Sequence, residues 1–346
     1  MQSSREIVVR SLKFKTPQRM PRDLWLLPWA EIHHADAVRK LKERFPSDFV
    51  NTDYFYPALP FVKGDPYQRG EYVDEWGCSF VNYQDGIIGE VKNPLIADIG
   101  DWQKVVPPYA QLPENPQPAY DQISRFYEQS DKFVLGNCCP RPWERYQFVR
   151  GSENALMDVM TPEQGAEKLL RLIHEFYLKE LEFWVKADVD AVMFMDDWGS
   201  QNQLLIPPRI WRELFKPLYK EYCDLAHAHA KFIFMHSDGH ITEIYQHLIE
   251  IGVDAVNSQL FVMDLQDLAR CAKGNITFWG EIDRQHVLPS PDPQVGREAV
   301  RKVAKHLYQP SGGVIAQLEL GAGANPETAM AVFEEWELVE REARQS

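Results

Sequence analysis

Val192-Met193-Phe194-Met195-Asp196-Asp197-Trp198-Gly199-Ser200-Gln201 and Phe232-Ile233-Phe234-Met235-His236-Ser237-Asp238-Gly239 each run from an apolar stretch straight into acid, amide and imidazole groups. A short apolar run of this kind reads as a strand covered on both faces, as in a parallel sheet. Polar groups at the C-terminal edge of such strands are where α/β folds carry their chemistry. The two segments therefore point to an enzyme.

Working outward, six further runs have the same character: Leu24 to Pro28, Asp48 to Asn51, Phe133 to Gly136, Asp254 to Asn257, Ile276 to Trp279 and Gly313 to Leu318. With Ala191 to Met195 and Lys231 to Met235 they make eight. Between them, segments such as Pro162 to Ala187 and Pro208 to Ala230 space apolar residues three and four apart beneath charged outer faces, the pattern of amphipathic helices. Thr161-Pro162-Glu163-Gln164 reads as a helix start, with a hydroxyl N-cap and proline in the first turn. Strand and helix alternating eight times predict a (β/α)8 TIM barrel in one domain over 1–346. Residues 1–22 are expected to form an N-terminal helix and lead-in, 67–92 an inserted β-hairpin, and the proline-rich Val106 to Pro118 an exposed crossing loop.

After the runs come, in order, Trp29, Asp53, Asn137 with Cys138, Asp196 with Asp197, His236 with Asp238, Asn257 with Gln259, Glu281 with Asp283, and Glu319. In a barrel these converge on one mouth, although loops are polar in general and part of the coincidence is ordinary.

The 346 residues carry 37 Lys and Arg against 51 Asp and Glu, a formal charge of −14, which disfavours nucleic acid and anionic membrane as partners. No segment approaches the roughly 18 apolar residues of a membrane span. The start, Met1 to Glu6, lacks an apolar stretch behind a basic cluster, so the expected location is the cytoplasm. Five cysteines (Cys78, Cys138, Cys139, Cys223, Cys271) without C-x-x-C spacing read as reduced thiols. Monomer and homodimer are both compatible with the sequence.

At these motifs the chain resembles the uroporphyrinogen decarboxylase superfamily, which includes cobalamin-linked methyltransferases. Glu6 to Leu12 followed by Pro17 to Pro21 is similar to its opening helix, and Arg150 to Asn154 with Met157-Asp158 to its middle segment. Asp196 to Gln201, His236 to Gly239, Ile251 to Asp254 and Trp279 to Asp283 complete the series. The resemblance implies a (β/α)8 barrel. It also raises two activities. The decarboxylase holds its porphyrinogen with an arginine-rich loop after the first strand, where this chain has Leu27-Pro28-Trp29-Ala30-Glu31-Ile32-His33-His34, without arginine. Asp53 sits roughly where the decarboxylase has its pyrrole-binding aspartate. The Asp-Trp-Gly and His-Ser-x-Gly segments look more like the methyltransferase-like branch, whose characterised members bind zinc through a His-x-Cys pair and a later cysteine. Here Asp238 stands in place of the first cysteine, and the last strand offers Glu319.

The resulting expectations are these. His236, Asp238 and Glu319 hold a divalent metal, zinc or a harder ion, because imidazole and carboxylate are ordinary ligands and three leave a position open. The ordinary alternative is a hydrogen-bonded rim histidine with Asp238 capping a helix. One of Asp196 and Asp197 faces the lumen and, near Glu281, acts as the acid, while Gln201, Asn257 and Glu281 orient substrate; the alternative is that either aspartate binds backbone amides at the next helix. Gln201, Asn257, Gln259, Trp198 and Trp279, with Asp53, contact a small methylated substrate, although tryptophan at strand ends is more often core. Trp76 belongs to the same group. A separate corrinoid protein is the implied methyl acceptor. Porphyrinogen decarboxylation and a non-catalytic ligand-binding barrel remain the alternatives. Cys138 and Cys139 need a base or cation to be nucleophiles; His227 and His229 lie on different helix faces and are expected to be solvated.

Overall fold

The computed structural model describes residues 2–345. All eight expected runs form strands: β1 (Arg22–Leu26), β2 (Phe49–Asn51), β6 (Phe133–Leu135), β7 (Ala191–Met195), β8 (Phe232–Ser237), β9 (Ala255–Ser258), β10 (Thr277–Trp279) and β11 (Val314–Leu320). They pair in parallel in the order β1-β11-β10-β9-β8-β7-β6-β2, with helices on the outside, as a nearly closed (β/α)8 barrel. The remaining strands, β3 (Gly70–Val73), β4 (Ser79–Asn82) and β5 (Glu90–Asn93), form a separate antiparallel sheet. The insertion is thus three-stranded rather than the expected hairpin over 67–92, because the chain beyond Gly86 returns to pair Val91 with Phe80. Trp76 of this sheet is buried edge-on against Phe176.

Side chains alternate between lumen and helix layer along each strand. Phe49, Phe133, Leu135, Ala191, Phe234, Ala255, Trp279 and Ile315 fill the lumen. Val8 and Leu12 of the N-terminal helix Ser4–Leu12 join this cluster and plug its lower end. Ile233, Met235, Val256, Phe278 and Leu318 point outward into the larger core under the helices.

The barrel has one loose seam, between β1 and β2. Its lower end is tied by the Asp48 carboxylate, which accepts from Ser4 Oγ at 2.6 Å, Arg19 at 2.5 and 2.6 Å and the Arg22 amide at 2.8 Å. Above this knot the seam opens into a cleft of about 390 Å3 lined by Trp25, Phe49, Asn51 and Glu319.

Two expectations change. Thr161 does not cap the helix Gln164–Trp184; its hydroxyl donates to the Met157 carbonyl at 3.1 Å, closing the preceding helix Ser152–Met160. The proline-rich segment is only partly exposed, with Pro107 and Pro108 buried and Tyr109 packed on Phe176. Among the described residues no helix is long and apolar enough to cross a membrane.

Candidate active site

Strand parity selects the groups that reach the mouth. On β8, Phe234 faces the lumen, so His236 does too, while Ser237 turns outward and receives the Trp198 amide at 3.1 Å. On β7, Ala191 and Met193 face inward, which carries Asp197 to the mouth and Asp196 to the helix layer. Asp196 is fully buried there, accepting from the Trp143 amide at 3.0 Å, the Glu144 amide at 2.7 Å and Tyr219 Oη at 2.6 Å. Its carboxylate satisfies the first turn of the helix Pro142–Arg150. The expected catalytic role of Asp196 is therefore corrected: it is sealed outside the barrel. Gly199 and Gly239 let the two loops touch, since a Cβ on Gly199 would lie 2.2 Å from the His240 amide nitrogen and one on Gly239 2.1 Å from the Gly199 carbonyl oxygen.

Asp197, His236 and Asp238 meet at the mouth. One ligand atom of each lies within 4.8 Å of the others, and His236 Nε2 stands 3.6 Å from both Asp197 Oδ1 and Asp238 Oδ1. Asn257 orients the ring. Its Nδ2 donates to the Trp279 carbonyl at 2.6 Å, which leaves Oδ1 to accept from His236 Nδ1 at 2.6 Å. The Nδ1 proton is thereby assigned, and the Nε2 lone pair faces the two carboxylates. Trp25 lies beside the ring, 5.5 Å between centroids.

Glu319 is not among the three. Arg284, on the loop after β10, donates to Glu319 at 3.2 Å and to Asp238 Oδ2, and its Nε is 3.6 Å from Glu281. Glu319 is bound by this guanidinium and lies outside the cluster, which corrects its expected grouping with His236 and Asp238; Asp197 stands with them instead. Glu281 is buried, and neither carboxylate oxygen has a hydrogen-bond partner. Burial holds its carboxyl well above the ordinary range, against the pull of Arg284 and with the push of Asp238 and Glu319. Asp238 is also raised, chiefly by burial.

The expected substrate contacts divide. Trp198 is fully buried outside the barrel, stacked on Trp143 at 5.3 Å and donating to Tyr219 Oη at 2.9 Å, so it is core and not pocket wall. Trp279 is lumen core beneath the mouth. Asn257 serves His236 rather than substrate, and Gln259 Oε1 accepts the Gly239 amide at 3.1 Å. Gln201 remains exposed at the rim, 3.1 Å from Gln285 Oε1, and Asp53 is exposed on the loop after β2. Burial raises the thiols of Cys138 and Cys139, the latter to about 12 against the pull of Arg141. His227 is not simply solvated, since it contacts Asp254 at 3.0 Å. Arg284 and Glu144 were missed because neither follows a strand run directly. A positive residue three places beyond Glu281 was the available signal for Arg284.

Lower in the lumen, Asp23 accepts from Ser47 Oγ at 2.7 Å, Trp25 Nε1 at 2.9 Å, Trp279 Nε1 at 3.0 Å and the Leu24 amide at 3.0 Å. Burial nevertheless pushes its carboxyl up to about 6, partly offset by these donors. A folded-state value above the unfolded one contributes stability that is complete below about pH 4 and lost as pH rises through about 6, amounting to about 3 kcal/mol. Asp23→Asn is expected to lose this dependence. Urea midpoints taken at about pH 4 and pH 7 should show wild type declining by about 3 kcal/mol relative to the variant; parallel declines would count against it.

Fold and mouth together define a (β/α)8-barrel protein with an imidazole and carboxylate site at the C-terminal ends of its strands. The family model for uroporphyrinogen decarboxylase (URO-D) matches residues 73–337, and the chain belongs to that family. Among solved structures, a methyltransferase from Methanosarcina mazei is similar at 13% identity and TM-score 0.69, with 98% of this chain and 99% of that one covered. A B12-independent methionine synthase from Shewanella sp. W3-18-1, in complex with selenomethionine, is similar at 12% identity and TM-score 0.50, covering 89% and 87%. At such identities the likeness is one of fold. No curated protein sequence matches the chain.

Proposed function

We propose that the protein is a metal-assisted methyltransferase or demethylase of the methyltransferase-like branch, acting in the cytoplasm on a small O-, N- or S-methylated compound, with a separate corrinoid protein as methyl acceptor. The observation that carries this reading is the convergence of Asp197, His236 and Asp238 at the mouth. The donor set fits a divalent ion. His236 Nε2 is free because Nδ1 is engaged by Asn257, and Asp238 Oδ1 is buried without a hydrogen-bond partner. One imidazole and two carboxylates suit Zn²⁺ and equally Mn²⁺, Fe²⁺ or Co²⁺, and three ligands leave room for substrate.

Held there, a divalent ion supplies Lewis acidity toward the heteroatom that bears the methyl group. Glu281, kept protonated by its burial, gives its proton to that heteroatom as the methyl leaves. Arg284 holds Asp238 in position and balances the negative charge of Asp238 and Glu319. The fold shared with a methyltransferase and a methionine synthase agrees with this reading. Porphyrinogen decarboxylation is less well supported, since the loop after β1 has no arginine and Arg284 is committed to three carboxylates.

The test is direct. Metal-free protein titrated with Zn²⁺ is expected to take up one equivalent, and the loaded protein to methylate cob(I)alamin from one member of a panel of methylated compounds. Absence of divalent-metal uptake would refute the reading.

A further inference from the structure

Between the inserted sheet and the helices Pro142–Arg150 and Gln164–Trp184 lies a cavity of about 280 Å3. Its walls combine the rings of Trp76, Phe80, Phe148 and Phe176 with the polar groups of Asp74, Glu75, Gln111 and Glu180. Two arginines line it, and their surroundings differ. Arg145 is neutralised by Asp74 and by Glu75 at 3.1 Å. Arg141 forms no ion pair with any described residue; its Nε is 3.5 Å from the Cys139 carbonyl oxygen.

A largely buried guanidinium without its anion is costly unless something supplies one. The carboxyls whose charge is felt with that of Arg141, Glu144 and Glu180, form no ion pair with it among the described residues. Glu180 is pushed up to about 8 by burial, and burial also raises Glu144. The planar fork of Arg141 matches a carboxylate, and the aromatic walls match an apolar body. A phosphate dianion is less suited, since a single unpaired guanidinium supplies few donors.

None of Asp197, His236 and Asp238 lines the cavity, and Arg141 is its link to the mouth. Arg141 immediately precedes the helix whose amides at Trp143 and Glu144 bind Asp196, the neighbour of Asp197. Glu144 also lies within the electrostatic reach of Arg141, Asp197 and His236.

We propose that this cavity is a subsite for an organic carboxylate, with Arg141 its counter-ion and the aromatic walls holding its apolar body. In extending the methyl-transfer reading, the proposal makes the methylated substrate an acid.

The experiment is calorimetric titration of the metal-free full chain with benzoate and with its neutral isostere benzamide, which reads the subsite independently of turnover. Benzoate is expected to bind at least about tenfold more tightly. Arg141→Gln should abolish that preference, whereas Arg141→Lys, which keeps the charge but not the fork, should retain part of it; circular dichroism checks that both fold. Equal affinities in wild type, a preference surviving in Arg141→Gln, or no benzoate binding up to about 10 mM would each overturn the proposal. Zn²⁺ titration of the same preparation separates the two readings. Carboxylate preference without metal uptake removes the methyl-transfer function and leaves the subsite, and metal uptake without the preference does the reverse.

Discussion

Alanine at position 236 is expected to eliminate stoichiometric divalent-metal binding and to lower kcat/KM for methyl transfer by about a thousandfold, the equivalent of about 4 kcal/mol of lost transition-state stabilisation. The ring supplies the nitrogen donor of the cluster, 3.6 Å from each carboxylate, and the remaining pair of acids has no third arm. Asn257→Ala should behave as a weaker copy of the same defect. It leaves the imidazole in place but frees Nδ1 from its 2.6 Å partner, and loss of such an orienting group costs about 10- to 100-fold in metal affinity. Metal content by mass spectrometry and exchange against a chelator read both effects. An Asn257→Ala protein as defective as His236→Ala would mean that Asn257 holds the site's fold and not merely the ring; a fully metallated His236→Ala protein would end the metal assignment.

Asp196→Ala should have the opposite profile from its neighbour, a large loss of stability of about 4 kcal/mol. Two backbone amides and the Tyr219 hydroxyl would be left buried without an acceptor, each such group costing about 1–3 kcal/mol. The helix Pro142–Arg150 would lose the acceptor at its first turn. The measurement is the urea midpoint at constant slope, accompanied by Zn²⁺ titration of the folded fraction, which should be unchanged. Asp197→Ala, by contrast, is expected to leave the midpoint nearly in place while abolishing metal uptake. A pair of variants with interchanged behaviour would overturn the parity argument on which the site is built.

Much of this was legible beforehand. The runs from Leu24 to Leu318 could be recognised because a parallel strand buried on both faces must be apolar along its length. The mouth was legible because each strand ends where its apolar cover ends, so Asp197, His236, Asp238 and Glu281 all had to lie at one pole. Other parts were not. Trp198 could be read as pocket wall or, as is commoner for tryptophan at strand ends, as core; continued alternation turns it outward, where Trp143 and Tyr219 enclose it. Glu319 was matched to a ligand position by its place on the last strand, with no way to see that Arg284 would reach it first. The third strand of the insertion was hidden because Glu90-Val91-Lys92-Asn93 has little apolar content of its own.

The sequence by itself determined the barrel, its polar mouth and the membership of His236 and Asp238 in it, since these follow from local apolar periodicity and chain order. Only the tertiary structure decided that Asp197 completes the cluster, that Asp196 caps a helix, that Arg284 claims Glu319, and that Arg141 faces a cavity without a counter-ion. Those outcomes depend on which side chains from distant strands come within bonding distance. Such distances arise from the packing of helices and loops around the closed sheet, and no local pattern encodes them.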